Sequence, residues 1–240
     1  APLAFGLKDD AALFVPAKGR ALVLTADAIV EGVHFLPDDP PDMIARKLLR
    51  VNLSDLAAKG ATPRAYLMTC AFPRDVNERW IAAFARGLNA DQKRFGLSLL
   101  GGDTVATPGP ATFGVTMFGD VPGKGMLRRS GARPGDILCV TGTIGDGHLG
   151  LTEILSPHPG LAPAQRSFLS ARYRLPQPRT RLGPALRGIA TAALDVSDGL
   201  VQDVGHLAEQ SGLRAVIDLQ AVPLSPAARV LARTDPDLPN

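Results

Sequence analysis

Apolar and polar positions follow two periods along the first half of the chain. Short apolar, β-branched runs predict strands, and runs with an apolar residue every three or four positions predict helices. The predicted strands cover 23–29, 65–72, 97–100 and 112–121, and the predicted helices cover 40–60 and 77–95. Pro40 and Pro41 suit a helix start, whereas Asn77 and Gly96 are typical of the two ends of the second helix.

The second half shows the same alternation. A segment rich in Gly, Pro and Arg, 122–135, indicates a crossing into a second unit. The strands predicted beyond it cover 137–141, 191–196 and 214–219, and the helices cover 145–155, 179–189 and 198–211. The pattern therefore predicts an α/β (α+β) protein with two domains, 1–122 and 123–240.

Composition narrows the function classes. The 240 residues are 45% hydrophobic and 20% charged, as in ordinary globular proteins, and the net charge of +3 is scattered. This small, scattered charge argues against a nucleic-acid partner and suits a protein that binds small anionic molecules. Without a signal peptide or an apolar run of about 18 residues we expect a cytoplasmic protein that does not bind membranes. Cys70 and Cys139 lie in strand-like runs, which predicts buried thiols in a reducing compartment.

Six aspartates stand at the ends of apolar runs or inside an apolar helix face, where an unpaired carboxylate is costly. Several such carboxylates brought together would bind hard divalent cations, and Mg²⁺ is the cation that points to phosphate chemistry. The six are Asp10, Asp27, Asp55, Asp103, Asp195 and Asp198.

Each aspartate taken alone also has a structural interpretation, and the residues leave both open. These interpretations are a solvated turn at Asp10, a strand-end cap at Asp27, a polar outer helix face for Asn52, Asp55 and Lys59, a tight turn at 101–104, and a helix cap at Asp198.

Three further motifs are ambiguous. Residues 145–150 match G-x-G-x-x-G, but no acidic residue follows at the spacing of a dinucleotide site, so only an anion at a helix N-terminus stays open. Arg128 and Arg129 fit either a solvated surface or a phosphate clamp. His34 also has a structural interpretation, as a histidine of the core or of a loop.

Taken in order, six motifs resemble bacterial thiamine-monophosphate kinases, within the aminoimidazole ribonucleotide synthetase-like superfamily. The resemblance covers nearly the whole chain and rests on residues 9–12, 30–35, 52–61, 101–104, 129–136 and 195–200. It implies an N-terminal ATP- and magnesium-binding domain that forms a β-barrel across a homodimer, and a C-terminal α/β domain. It also implies direct phosphoryl transfer from ATP to thiamine monophosphate, assisted by several Mg²⁺ ions and without a dedicated catalytic base.

The resemblance also implies roles for individual residues. The magnesium-site positions are Asp10, Thr25, Ala26, Asp27, Asp55, Asp103, Asp195 and Asp198; the ATP contacts are Gly102, Asp103, Arg129 and Ser197; and the thiamine monophosphate contact is His34.

The chain departs from the family pattern at three places. Lys8 replaces the usual Gly, and Ala26 replaces a frequent Thr, so a backbone carbonyl would serve as ligand there. A Gly-Gly-Glu/Asp-Asp-Tyr-Glu motif that helps to hold the thiamine moiety does not occur before Asn240. We therefore expect a further C-terminal segment and an incomplete C-terminal domain. The alternatives are a related ATP-dependent synthetase acting on another small substrate, or a non-catalytic ATP-binding dimer.

Overall fold

The structure is a computed structural model that describes residues 2–8, 11–123 and 125–234. The chain divides into two compact units. The first comprises Ala1–Arg128 and Gln177–Asp195, and the second comprises Arg129–Pro176 and Val196–Asn240. The predicted domains 1–122 and 123–240 do not include this return of residues 177–195 to the first unit.

A four-stranded sheet forms the frame of the first unit. Its strands are β1 (Arg20–Val30), β2 (Thr62–Pro73), β3 (Ser98–Thr107) and β4 (Thr112–Pro122), in the order β1-β4-β2-β3. β4 pairs antiparallel with both β1 and β2, whereas β2 and β3 are parallel. β1 and β3 therefore form the two edges of the sheet.

Two long helices, α1 (Pro41–Ala58) and α2 (Glu78–Phe95), confirm the helical pattern of the first half. α1 begins at a proline, which suits the first turn because its missing N–H has no intrahelical partner there. α2 begins after Asn77, whose Oδ1 accepts a hydrogen bond from the Trp80 backbone N–H at 3.0 Å, and it ends at the left-handed Gly96.

The two faces of the sheet differ in burial. On the inner face, Phe113 and Met117 of β4 are fully buried in one core with Leu48 and Leu53 of α1. On the outer face, large apolar side chains remain exposed, namely Leu24 (56%), Leu67 (39%) and Val105 (52%). Only the inner face is thus covered by the long helices.

The third strand is longer than predicted. β3 continues through 101–104 to Thr107, so the alternative of a tight turn at 101–104 is wrong. A Cβ on Gly102 would lie 1.7 Å from the Met68 carbonyl oxygen. Glycine is therefore required because the backbone of β2 approaches it closely.

Five further helices follow: α3 (Asp146–Leu155), α4 (Pro163–Arg174), α5 (Leu182–Ala185), α6 (Leu200–Ser211) and α7 (Pro226–Thr234). α3 and α6 confirm predictions, α4 and α7 were not predicted, and the helix predicted at 179–189 shrinks to the four residues of α5. α5 belongs to the first unit, and the other four belong to the second.

The strands predicted at 137–141, 191–196 and 214–219 are wrong for the part of the chain that the structure describes. A strand exists only where its backbone pairs with a neighbour, and these segments form no ladder within the described residues. Ile137 and Val216 are 87% and 84% exposed. Chain-wide the fold is nonetheless mixed α/β.

The two cysteines differ. Cys70 is buried as predicted, and burial raises the pKa of its thiol to about 11. Cys139 is exposed, which corrects the prediction for that residue. Among the helices that the structure describes, none combines the length and the hydropathy that crossing a bilayer requires.

The G-x-G-x-x-G motif serves helix packing in the second unit. Gly145, with φ of 85°, precedes α3, and the carboxylate of Asp146 is buried in the first turn, 3.8 Å from Arg172 Nε. A carboxylate there disfavours a bound anion because like charges repel. A Cβ on Gly150 would lie 2.1 Å from the Leu169 carbonyl oxygen of α4.

Replacing Gly150 by alanine should therefore destabilise the second unit by about 1–3 kcal/mol, through overpacking of α3 against α4. The matched control is Gly147→Ala in the same helix, where an added Cβ meets nothing within 4 Å. That control should gain roughly 0.5–1 kcal/mol from helix propensity. Denaturant unfolding followed by helical circular dichroism measures both, and equal effects would contradict the packing argument.

Candidate functional site

Strand β1 and helix α1 bring two carboxylates and a hydroxyl together. Thr25 and Asp27 lie two residues apart in β1, so both side chains point to the inner face, towards α1. The Thr25 hydroxyl donates a hydrogen bond of 2.6 Å to Asp55 Oδ2. Asp27 lies three residues before the end of β1, so a strand-end cap does not explain it. Oxygen ligands of this kind suit a hard cation such as Mg²⁺.

Asn52 holds β1 against α1 at this point. It is fully buried, its Oδ1 accepts a hydrogen bond of 3.1 Å from the Asp27 backbone N–H, and its Nδ2 donates to the Leu48 carbonyl at 3.0 Å. The interpretation of this stripe as a polar outer helix face is therefore wrong. Asn52 fixes the backbone of Asp27 relative to Asp55.

The electrostatics at Asp55 are unfavourable without a cation. Burial of the carboxyl raises the pKa of Asp55, and the neighbouring Asp27 raises it further, against the opposing hydrogen bond from Thr25 and the charge of Lys59. The chain thus holds the partly buried carboxylate of Asp55 beside the exposed carboxylate of Asp27, and a bound cation would offset their repulsion.

Asp195 belongs to the same unit as this pair. Lys59, just after α1, donates from Nζ to the Ala193 carbonyl at 3.0 Å, and the Ala193 N–H donates to the Arg128 carbonyl at 2.8 Å. These bonds attach the segment before Asp195 to the C-terminal end of α1, where Asp55 also lies.

Asp103 lies elsewhere in the first unit. It pairs with Thr69 of β2, which pairs with Gly114 of β4, and Gly114 pairs with Ala28 of β1. Because paired residues share a face, Asp103 is on the outer face and Asp27 on the inner face. Three strand spacings also separate their strands, about 14 Å. Asp103 and Gly102 are therefore not brought to the Asp27–Asp55 pair within one chain.

The remaining predicted metal positions divide among three places. Ala26 lies between Thr25 and Asp27 in β1, Asp198 lies in the second unit, and Asp10 lies outside the described residues. Within residues 2–8, 11–123 and 125–234, no three His, Cys, Asp or Glu side chains form a group able to hold a metal ion.

In the second unit, the predicted contacts Ser197 and Asp198 are exposed in a loop before α6. The carboxylate that caps this helix is Asp203, not Asp198 as the structural alternative supposed. Asp203 Oδ2 accepts from the backbone N–H groups of Ser197, Asp198 and Gly199 at 2.8, 3.1 and 3.2 Å. The Asp198 carboxylate instead accepts from Gln202 Nε2 at 3.3 Å.

The predicted ATP contact Arg129 lies by the other end of α6. Its carbonyl accepts a hydrogen bond of 3.3 Å from the hydroxyl of Ser211, the last residue of that helix. A helix of 12 residues is about 18 Å long, so the backbone of Arg129 is far from Ser197. Arg129 itself is exposed.

His34 is exposed in the turn after β1, which excludes a buried histidine. Its Nδ1 accepts a hydrogen bond of 3.1 Å from the Val30 backbone N–H, and its carbonyl accepts one of 2.6 Å from Lys47 Nζ. With Nδ1 as acceptor, the neutral imidazole carries its proton on Nε2, a donor suited to a phosphate oxygen.

Sequence reasoning missed two residues of this arrangement as site residues. Asn52 shares a helix stripe with Asp55, and only its complete burial separates it from a surface residue. Asp203 is an acidic residue in the first turn of α6, a position where a carboxylate can accept free backbone N–H groups. This position in the first turn is the sequence signal by which Asp203 could have been predicted.

Comparison with known proteins defines the class of this architecture. A family model described as AIR synthase related protein, N-terminal domain, matches residues 8–121, which include α1, α2 and the sheet up to Val121. The thiamine-monophosphate kinase of Caulobacter vibrioides is 47% identical over 236 residues, which cover 98% of this chain. The chain spans 66% of the length of that relative.

Solved structures agree with this comparison. The thiamine-monophosphate kinase of Stenotrophomonas maltophilia K279a superimposes with a TM-score of 0.89 at 39% identity, covering 98% of this chain and 74% of that one. AaThiL complexed with AMPPCP and TMP superimposes with a TM-score of 0.85 at 30% identity, covering 95% and 72%. The chain belongs to the thiamine-monophosphate kinase family.

Proposed function

We propose that this chain catalyses the ATP-dependent phosphorylation of thiamine monophosphate to thiamine diphosphate by direct, magnesium-assisted phosphoryl transfer. Two observations support the proposal. The relatives carry the name of that kinase, and one solved relative is complexed with AMPPCP and TMP. In this chain itself, the main support is the carboxylate pair Asp27–Asp55, in which the Thr25 hydroxyl donates a hydrogen bond of 2.6 Å to Asp55.

The donor set fits magnesium. It offers two carboxylates and a hydroxyl, the hard oxygen ligands that Mg²⁺ prefers. Burial raises the pKa of Asp55, and the charge of Asp27, which a cation would offset, raises it further. Mg²⁺ held by Thr25, Asp27 and Asp55, with the carbonyl of Ala26, would neutralise phosphate charge and align donor with acceptor. Asp10, Asp195 and Asp198 are proposed as further magnesium positions.

The acceptor is already a phosphate, so its oxygen is a ready nucleophile and no general base is required. The obstacle is the repulsion between two anions, about 4 kcal/mol for unit charges roughly 4 Å apart at an effective dielectric near 20. We assign His34 Nε2 to the phosphate of thiamine monophosphate, and Gly102, Arg129 and Ser197 to ATP. Arg129 would reduce the negative charge of the nucleotide.

We further propose that the chain works as a homodimer formed through the outer face of the sheet, where Leu24, Leu67 and Val105 are exposed. Apolar side chains on one sheet face favour a partner. With the two-fold axis along the strands, the β1 edge of one protomer lies beside the β3 edge of its partner. Asp103 of the partner would then lie one strand spacing from β1 instead of three, and would contact the same magnesium-ATP as Asp27 and Asp55 from the other side of the seam.

Residues 1–122 would accordingly supply ATP and magnesium binding and dimerisation, and residues 123–240 would supply the C-terminal α/β domain. We place the protein in the cytoplasm, because both Cys70 and Cys139 are free thiols. Neither a membrane nor a nucleic acid is proposed as a partner.

The direct test incubates the protein with Mg²⁺, ATP and thiamine monophosphate and measures thiamine diphosphate by chromatography. The expected result is one thiamine diphosphate formed for each ATP consumed. ATP consumption with selenide or formylglycinamidine ribotide instead would favour a related synthetase. Tight magnesium-ATP binding without transfer to any of these acceptors would favour a non-catalytic binding module.

The shared site makes a sharper prediction. Asp27→Asn and Asp103→Asn should each be inactive alone, but co-expression of the two should restore activity. In a random mixture half of the dimers are mixed, and each mixed dimer has one unmodified site, so roughly one quarter of the sites recover.

The control co-expresses Asp27→Asn with Asp55→Asn, two changes on the same side of the site, and should recover nothing. Size-exclusion chromatography verifies that both mixtures contain dimers. Equal recovery in the two mixtures, or none in either, would contradict a site shared between protomers.

A further inference from the structure

One carboxylate in the second unit organises the loop that carries two of the proposed ligands. Asp203 is only 4% exposed, and its Oδ2 accepts three successive backbone N–H groups, those of Ser197, Asp198 and Gly199, at 2.8–3.2 Å. Asp203 lies in the first turn of α6, where the free N–H groups and the helix dipole favour a negative charge.

This arrangement restricts how the loop can contact a nucleotide. Successive N–H groups that converge on one point form a pocket which in many proteins binds a phosphate. Here the side chain of Asp203 already fills it, so a phosphate would have to displace a buried carboxylate. The loop therefore has no free N–H among residues 197–199 to offer to ATP.

The side chains of the loop are available instead. Ser197 and Asp198 are exposed, while their N–H groups bond to the buried Asp203. The bond from Gln202 Nε2 to Asp198 Oδ2, 3.3 Å, further restrains the Asp198 carboxylate. The backbone of the loop is thus anchored to α6, while Ser197 and Asp198 remain exposed.

We propose that Asp203 is a positioning residue for magnesium-ATP: it holds loop 197–199 so that the Ser197 hydroxyl and the Asp198 carboxylate, rather than backbone N–H groups, contact the nucleotide and its metal. This inference rests on the proposed function. Asp203 itself contacts neither ligand.

The test measures magnesium-ATP affinity by titration, and the KM values for ATP and for thiamine monophosphate, in Asp203→Ala and Asp203→Asn. Removing a residue that orients ligands typically costs about 10–100-fold in affinity or activity. In Asp203→Ala we expect a loss of this size in magnesium-ATP affinity and a matching rise in the KM for ATP, with the KM for thiamine monophosphate unchanged. Asp203→Asn keeps an accepting oxygen and should recover part of the affinity.

The matched control is Glu209→Ala, which removes an exposed carboxylate from the same helix and should leave both KM values unchanged. All measurements are made below the melting temperature of each variant. If Asp203→Ala lowers only the melting temperature and keeps wild-type magnesium-ATP affinity, the positioning role is refuted. If Asp203→Ala does not fold, Asp203→Asn provides the test. The positioning role is then refuted if that variant binds magnesium-ATP with wild-type affinity although hydrogen exchange shows the amides of 197–199 to be unprotected. A wild-type protein that neither binds nor consumes ATP instead refutes the proposed function, and the inference with it.

Discussion

Asp55→Asn is expected to reduce phosphoryl transfer by about 10²–10³-fold and to weaken the stabilisation of the protein by Mg²⁺. Asp55 links β1 to α1 through the 2.6 Å hydrogen bond from Thr25, and it contributes one of the two carboxylates of the pair. Asparagine keeps the shape and still accepts from Thr25, but it removes the charge that would hold the cation. Chromatographic assay of thiamine diphosphate and melting curves with and without Mg²⁺ measure the two effects.

The same variant should be more stable than the wild type when no divalent cation is present. Burial raises the pKa of Asp55 in the folded chain, so its charged form is disfavoured there relative to the unfolded chain. The wild type therefore loses stability as the pH rises from the pKa of an unfolded aspartate, about 4, to the higher pKa of Asp55 in the folded chain. At pH 7 the melting temperature of metal-free Asp55→Asn should exceed that of the wild type, and the difference should vanish in acid.

Asp42→Asn is the matched control, because Asp42 lies on the same helix thirteen residues earlier, about 20 Å away along the axis. It should leave turnover and the Mg²⁺ response unchanged. Near-normal turnover in Asp55→Asn, or a Mg²⁺-induced stabilisation equal to that of the wild type, would contradict the metal role of the pair.

Local signals explain why the first unit was largely predictable. The start of α1 at Pro41, and the capping of α2 by Asn77 and Gly96, depend on residues within a few positions of each end. Prolines begin the two helices that were not predicted, Pro163 in α4 and Pro226 in α7, because a proline is tolerated in the first turn. The wrong strands at 137–141, 191–196 and 214–219 share another cause, since an apolar run carries no information about whether a partner strand exists.

The same difference between local and long-range information applies to the candidate site. A strand alternates faces, so Thr25 and Asp27 could be predicted to lie together, and α1 supplies Asp55. The face of Asp103 could not be predicted, because it depends on the register of three strand pairs and on the irregularity between Tyr66 and Leu67. A one-residue shift in register moves a side chain to the other face of a sheet.

The largest expected effect on stability comes from Asp91→Ala, which should lower the free energy of unfolding of the first unit by about 3–5 kcal/mol. Asp91 on α2 accepts from Arg50 of α1 at 2.6 Å (Nε to Oδ2) and 3.1 Å (Nη2 to Oδ1). The side chains of Arg50 and Asp91 are 0% and 1% exposed. Removing the carboxylate leaves a buried guanidinium without its charge partner between two packed helices.

Arg46→Ala tests the partly exposed neighbour of this buried pair. Arg46 Nε lies 3.2 Å from Asp91 Oδ1, but its side chain is 22% exposed, so water compensates for much of the loss. Its removal should cost no more than about 1 kcal/mol. Trp80 is the only tryptophan of the chain and lies in α2, so its fluorescence during urea denaturation reports the first unit alone.

The double variant Arg50→Met, Asp91→Leu decides whether the lost stability comes from the unpaired charge or from the lost hydrogen-bond geometry. Replacing a buried ion pair by apolar residues of similar volume is often neutral or stabilising. If the cost of Asp91→Ala arises from the unpaired charge of Arg50, the double variant should regain most of the lost stability. A double variant as unstable as Asp91→Ala would mean that the hydrogen-bond geometry between α1 and α2, rather than charge compensation, holds the two helices that carry Asp55 and Trp80.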